Sequence, residues 1–237
     1  RTDLNLAFSW PDAYFAAVAR EASGLPTVTE ELQFHAIGCY SVNSALKRSH
    51  RKAECGLLFA ERMTVLAEHW TGRPAPMEQL RTLWWELCFN QFHDTLGGSS
   101  VKEAEDDAIR ALDGICASAE RLANNAMRAI GAQVNTSGPG EAVILFNPAG
   151  QTATEYVEYE PWTEWESWEA LGYSLVDEQG EAVPYQLVDT HEALTRPLHG
   201  IVRLVFRRSA PAMGYRTYRF APGLPVAAPQ PDLTATP

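Results

Sequence analysis

The densest group of chemically capable side chains is Asn90-Gln91-Phe92-His93-Asp94-Thr95-Leu96-Gly97-Gly98-Ser99-Ser100. It lies inside the stretch that reads as the most buried helix of the chain. Adjacent His and Asp near a buried helix end are costly unless paired, hydrogen-bonded or bound to a metal. Neighbouring helical residues point ~100° apart, which makes His93 and Asp94 a poor dyad for each other. Three readings stay open on the residues alone: capping and core hydrogen bonding, one shared ligand near the helix end, or two different groups. The chain has no glycine-rich dinucleotide or phosphate loop, no HExxH pair of metal-binding histidines and no GxSxG nucleophile elbow.

The same eleven residues resemble the Asn-Gln-Phe-His-Asp-Ile-Leu-Pro-Gly-Ser-Ser motif of glycoside hydrolase family 38, the zinc-dependent α-mannosidases. Thr95 stands for the family's Ile and Gly97 for its Pro. The likeness extends to Glu31-Leu32-Gln33-Phe34-His35, Gly38-Cys39-Tyr40-Ser41, Leu46-Lys47-Arg48 and Arg51-Lys52-Ala53-Glu54, where the family's middle domain opens. Val143–Pro148 and Gly214–Tyr218 resemble strands of its C-terminal β region.

The resemblance implies a retaining hydrolysis of α-mannosidic bonds in a mannose-containing oligosaccharide, with a covalent mannosyl–enzyme intermediate. A β/α barrel preceding this region would carry the nucleophile, the acid/base carboxylate and three zinc ligands. The zinc cofactor's fourth ligand then falls on His93, and Asp94 corresponds to a residue that contacts sugar hydroxyls. Zinc would hold those hydroxyls as Lewis acid and template. No catalytic carboxylate is expected in this chain, which is expected to be inactive and to bind zinc weakly alone. Glu86 is a candidate for supporting His93 or for plain helix surface. His35 is a candidate neighbour or a structural histidine. His50, His69, His191 and His199 read as surface or core residues.

The elements that must position this motif follow from periodicity. Trp10-Pro11-Asp12 opens a short helix to about Arg20, with Pro at the first turn. A long amphipathic helix runs from about Val42 to His69, with Leu46, Leu57, Leu58, Met63 and Leu66 on its apolar side. Gly72-Arg73-Pro74-Ala75-Pro76 breaks it. A second long helix spans Met77 to about Leu96, where Gly97-Gly98 ends it. Ser100-Val101-Lys102-Glu103 has the form of a capping box for a third, reaching about Gly131. Short breaks between three long helices predict an antiparallel bundle. In the second helix Leu80, Trp84, Leu87 and Gln91 share one side, and Trp85, Phe89 and Phe92 lie opposite. Two apolar sides predict a further covering layer, either the β half or a part outside this chain.

Beyond residue 135 the composition changes. Residues 136–237 carry 6 basic and 13 acidic side chains and are rich in Val, Tyr, Thr, Pro and Gly. Strands are predicted at Ala142–Pro148, Tyr156–Glu160, Tyr173–Val176, Val183–Val188, Ile201–Phe206 and Tyr215–Phe220. The third and fourth form a hairpin around Asp177–Gly180. The predicted class is therefore α+β: an antiparallel three-helix bundle followed by an antiparallel sheet or partial sandwich. The expected divisions are a barrel tail at 1–26, a helical middle domain at 27–135, the start of a β-sandwich at 136–221 and a loose tail at 222–237. Trp162, Trp165 and Trp168 are a loop, a protein contact or, least favoured, a sugar-stacking surface.

The 237 residues have 46% apolar and 21% charged side chains with net charge −11, a globular composition that argues against nucleic-acid or anionic-membrane partners. No apolar run approaches membrane-spanning length and no leader precedes the first helix. Beginning at Arg1, the chain reads as a piece of a longer or processed protein. Cys39, Cys55, Cys88 and Cys116 have no paired spacing and read as small buried hydrophobes in a reducing cytoplasm. The rival functional class is a non-catalytic helical interaction module with a β appendage. An uncovered aromatic face would also favour self-association into a homo-oligomer.

Overall fold

The computed structural model describes residues 6–32, 37–161, 171–189 and 202–224. They divide into two compact units, residues 1–41 and 42–237. The first unit holds α1 (Pro11–Arg20), with Pro in its first turn as predicted, and 3₁₀ turns at Ala22–Gly24 and Ile37–Tyr40.

The second unit begins with α2 (Ser44–Thr71), α3 (Met77–Phe89), a single helical turn α4 (His93–Leu96) and α5 (Lys102–Gly131). Asn43 starts α2 by accepting the Leu46 amide on its side chain, and Gly72 stops it in the left-handed conformation at φ 72°. Leu46, Leu57, Met63 and Leu66 are buried as the periodicity requires, whereas Leu58 is exposed. One core joins Leu46, Ala53, Leu57 and Ala60 of α2 to Leu80, Leu83 and Leu87 of α3 and Leu112, Ile115 and Ala119 of α5. Ser49 bonds Asp113 and Gly56 faces Ala119, so α2 and α5 run in the same direction. Glu61 meets Trp84 while Lys47 reaches Leu96, so α3 runs against α2. This is the up-down-up order that short connections produce. Small residues along the α2–α5 seam let the two backbones approach closely.

Six strands follow: β1 (Glu141–Asn147), β2 (Ala153–Tyr159), β3 (Tyr173–Asp177), β4 (Tyr185–Asp189), β5 (Val202–Ala210) and β6 (Gly214–Pro222). They make two antiparallel three-stranded sheets, ordered β1-β6-β3 and β2-β5-β4. Val143, Leu175 and Phe220 of one sheet pack with Leu204 and Phe206 of the other, with Tyr159 stacked on Phe220 at 5.3 Å. The α+β class with an antiparallel sandwich stands. A second core of Met63, Ala67, Ala126 and Ile130, with Phe146 and Tyr215 against it, joins the helices to the first sheet.

Three expectations need correction. The predicted hairpin begins, with Asp177 donating to the Glu181 carbonyl and Val183 to the Leu175 carbonyl at 3.0 and 2.9 Å, but does not continue, because β3 and β4 belong to different sheets. The Asp177–Gly180 turn does form, with Gly180 donating to the Asp177 carbonyl at 3.0 Å. After the lone Val176–Ala182 bridge, however, Pro184 supplies no amide to a ladder and the chain crosses over. The capping box does not form either. Val101 is the N-cap of α5 without a side-chain bond, and Ser100 Oγ donates instead to the Asp94 carbonyl at 2.9 Å. Nor are the cysteines buried: Cys55 and Cys88 are exposed, Cys39 and Cys116 half-buried, and none is bridged. Trp162, Trp165, Trp168, His35, His191, His199 and most of the 222–237 tail lie outside the described residues.

Candidate functional site

The helix predicted to reach Leu96 ends at Phe89, and this decides where the motif points. Asn90 is buried and donates both its backbone and its side-chain amide to the Glu86 carbonyl, at 3.2 and 2.9 Å. The next two amides bond only three residues back, Gln91 to Cys88 and Phe92 to Phe89, and Phe92 takes an extended conformation at φ −52°, ψ 137°. The chain then re-enters one helical turn carrying His93 and Asp94. Both side chains face solvent, 80% and 61% exposed. A buried polar cluster was the expectation. The early helix stop lifts these residues off the buried face, so no desolvation forces them to pair. His93 Nε2 and Asp94 Oδ1 are 3.6 Å apart, beyond hydrogen-bond range. Neither serves the other as a dyad, as their adjacency required.

The turn is anchored from several directions. Leu96 and Gly97 donate to the Phe92 and His93 carbonyls at 2.8 and 2.9 Å. The Asp94 carbonyl accepts Ser99 N and the Ser99 and Ser100 hydroxyls. Gly97 holds a helical φ of −68° and lends the turn an amide that a proline would lack. Gly98 is left-handed at φ 76° and lies against Val42, where an added Cβ would come within 2.0 Å of Val42 Cγ1. From α2, Lys47 Nζ donates to the Val42 and Leu96 carbonyls at 2.6 and 3.0 Å. His50 Nε2 lies 3.0 Å from Gln91 Nε2. Spacing alone marked His50 as mere surface or core and left Lys47 without a role. Their shared α2 face, three residues apart, was the available signal. The Glu86 side chain is exposed helix surface and supports neither residue.

Below the turn, α3 is divided. Leu80, Leu83 and Leu87 are buried, while Trp85, Phe89 and Phe92 are exposed, so the β half does not cover the aromatic side among the described residues. Trp84 sits between the two faces, its indole N–H donating to Glu61 Oε2 at 3.2 Å. Beside it an open groove of about 470 Å³ is lined by Met77, Leu80, Trp84, Trp85 and Cys88.

As a metal site, the turn offers one unobstructed imidazole and a neighbouring carboxylate. No group of three or more His, Cys, Asp or Glu side chains gathers among the described residues. Exposed imidazole nitrogen is a good zinc donor, so the residues fit the metal as one contributor to a set completed elsewhere.

The family model described as the alpha mannosidase middle domain matches residues 33–130. This stretch is similar to the alpha-mannosidase middle domain over the helices and the motif turn. Over 107 residues, 43% of this chain, it is 35% identical to Alpha-mannosidase 2C1 of Mus musculus. Over a further 107-residue comparison it is 31% identical to Alpha-mannosidase G of Dictyostelium discoideum. The chain spans 10% of the length of each of these curated relatives. The crystal structure of an alpha-mannosidase from Enterococcus faecalis V583 superposes with a TM-score of 0.64 at 25% identity, covering 92% of this chain and 29% of that one. A family 38 protein from Enterococcus faecalis shares the fold at 23% identity and a TM-score of 0.64, over 95% of this chain and 29% of its own. The middle domain thus includes α2 to α5 and the motif turn between α3 and α5.

Proposed function

We propose that this chain serves a retaining, zinc-dependent α-mannosidase acting on mannose-containing glycans, to which it contributes one zinc ligand, His93, and one sugar contact, Asp94. The observation that carries the reading is a solvent-facing His-Asp pair on an anchored turn, inside a segment matched to the alpha-mannosidase middle domain. Zinc, when bound, supplies a Lewis acid and a template for vicinal sugar hydroxyls. His93 offers its neutral imidazole to that ion. The diverging Asp94 carboxylate is free to accept hydroxyl hydrogen bonds. The nucleophile and acid/base carboxylates belong to a barrel outside these residues, for which the exposed Trp85, Phe89 and Phe92 face is the contact surface. The four unbridged thiols suit a reducing cytoplasm, where we place the protein.

The test is made in the longer protein that contains this segment, with an aryl α-mannoside as substrate. His93→Ala should abolish turnover together with bound zinc. Asp94→Asn should lower kcat strongly and leave the metal in place. The 237-residue chain alone should show neither hydrolysis nor sub-micromolar zinc binding by titration calorimetry. Wild-type activity in the His93→Ala protein would refute the assignment. The rival interaction module would be favoured if neither substitution touched catalysis.

A further inference from the structure

We propose that Lys47 is the positioning residue for His93 and Asp94, an inference that rests on the reading of that pair as the site. A four-residue turn has too few internal bonds to persist by itself, and both side chains it presents lie in solvent. Its place must be imposed from outside. Lys47 does so with one ammonium: Nζ bonds the Val42 carbonyl just before α2 and the Leu96 carbonyl that ends the turn, 49 residues later. That second carbonyl is a terminal helical acceptor with no intrahelical partner.

The location is costly for a lysine. Position 47 lies in the opening turns of α2, where the helix dipole disfavours positive charge. Half-buried, the ammonium is compensated by two charge-assisted bonds. Val42, held by the same lysine, is also the residue against which Gly98 closes. Lys47 therefore joins the C-terminal end of the turn to the start of α2, and the buried Leu46 beside it ties that start to the helical core. Among the described residues no other lysine or arginine bonds the backbone of 93–98.

The experiment uses the 237-residue chain and follows amide hydrogen exchange and the His93 ring resonances by NMR. Lys47→Met keeps the stem and removes the donors. The Leu96, Gly97 and Gly98 amides should exchange about tenfold faster, the loss of charge-assisted bonds read as local opening. The Leu83 and Leu87 amides should not change, and the His93 ring resonances should move toward those of an unfolded chain. Lys47→Arg, which restores a cationic donor, should return exchange to within about threefold of wild type. Unchanged turn amides in Lys47→Met, or an equal rise at Leu83 and Leu87, would overturn the proposal. Those results would leave the role of His93 intact. Conversely, the expected exchange pattern with zinc retained by His93→Ala in the longer enzyme would sink the site reading and keep Lys47 as the turn's anchor.

Discussion

Leu87 and Phe89 lie two residues apart on one helix and should respond oppositely to truncation in the isolated chain. Leu87 is 1% exposed and packed into the core shared by α2, α3 and α5. Removing it to alanine forfeits transfer energy and leaves a cavity, ~3 kcal/mol within the 2–5 kcal/mol range for such changes. Phe89 is 81% exposed. Of a phenylalanine surface of ~200 Å², only about a fifth is out of water, worth ~1 kcal/mol at ~25 cal/mol/Å². Alanine returns roughly half of that through its better helix propensity. With a urea slope of ~2 kcal/mol/M, Leu87→Ala should lower the midpoint by ~1.5 M and Phe89→Ala by less than ~0.4 M. Far-UV circular dichroism during urea titration reads both. Equal shifts would mean that the aromatic face is covered within this chain in solution, which would remove the argument for a layer supplied from outside.

Other substitutions test the frame around the site. Gly98→Ala should cost ~2–3 kcal/mol, part from the left-handed φ of 76° and part from Val42. Adding Val42→Ala should recover the steric part only, by thermal midpoint. Asn147 is buried and donates to the Gln151, Ala210 and Pro211 carbonyls, so Asn147→Ala should cost ~2–4 kcal/mol in urea while amide exchange at Leu96 and Gly97 stays unchanged. Tyr159 is pushed up from the ordinary phenol value, first by burial and then by its 2.5 Å bond to Glu141. A raised folded value favours the neutral phenol, so its contribution is present below pH about 10 and is lost as pH rises toward the folded value. Tyr159→Phe should cost ~1 kcal/mol near neutrality and flatten the alkaline loss seen in urea midpoints from about pH 9 to 11.

Much of this arrangement was legible in the sequence because it depends on local chemistry. Leu46, Leu57 and Met63 repeat at helical spacing, Gly72 and Pro74 stop α2, and Trp85 and Phe89 declared a second apolar face on α3 that is indeed bare among the described residues. The point where α3 ends was not legible. Asn90 is compatible with one more helical turn by propensity and keeps its own backbone bond to the Glu86 carbonyl; the ladder lapses one residue later, where Gln91 bonds Cys88 instead. That early stop moved His93 and Asp94 from an expected buried cluster into solvent. Sheet membership was hidden for a similar reason. Alternation in Tyr173–Val176 and Tyr185–Val188 marks strands but does not specify a partner, and the decision fell to Pro184 and to the facing core. Ser100 had the right form for a cap, yet its hydroxyl went to the Asp94 carbonyl once the motif turn lay within reach. The ties from Lys47 and His50 cross more than forty residues, a separation at which spacing carries no information.

The most direct measurement of the central claim is zinc content in the longer protein proposed to contain this segment, determined by plasma mass spectrometry on wild type, His93→Ala and Asp94→Asn proteins with matched circular dichroism. A zinc ion lost with the imidazole and kept without the Asp94 charge is the predicted outcome. A full complement of zinc in the folded His93→Ala protein would contradict it.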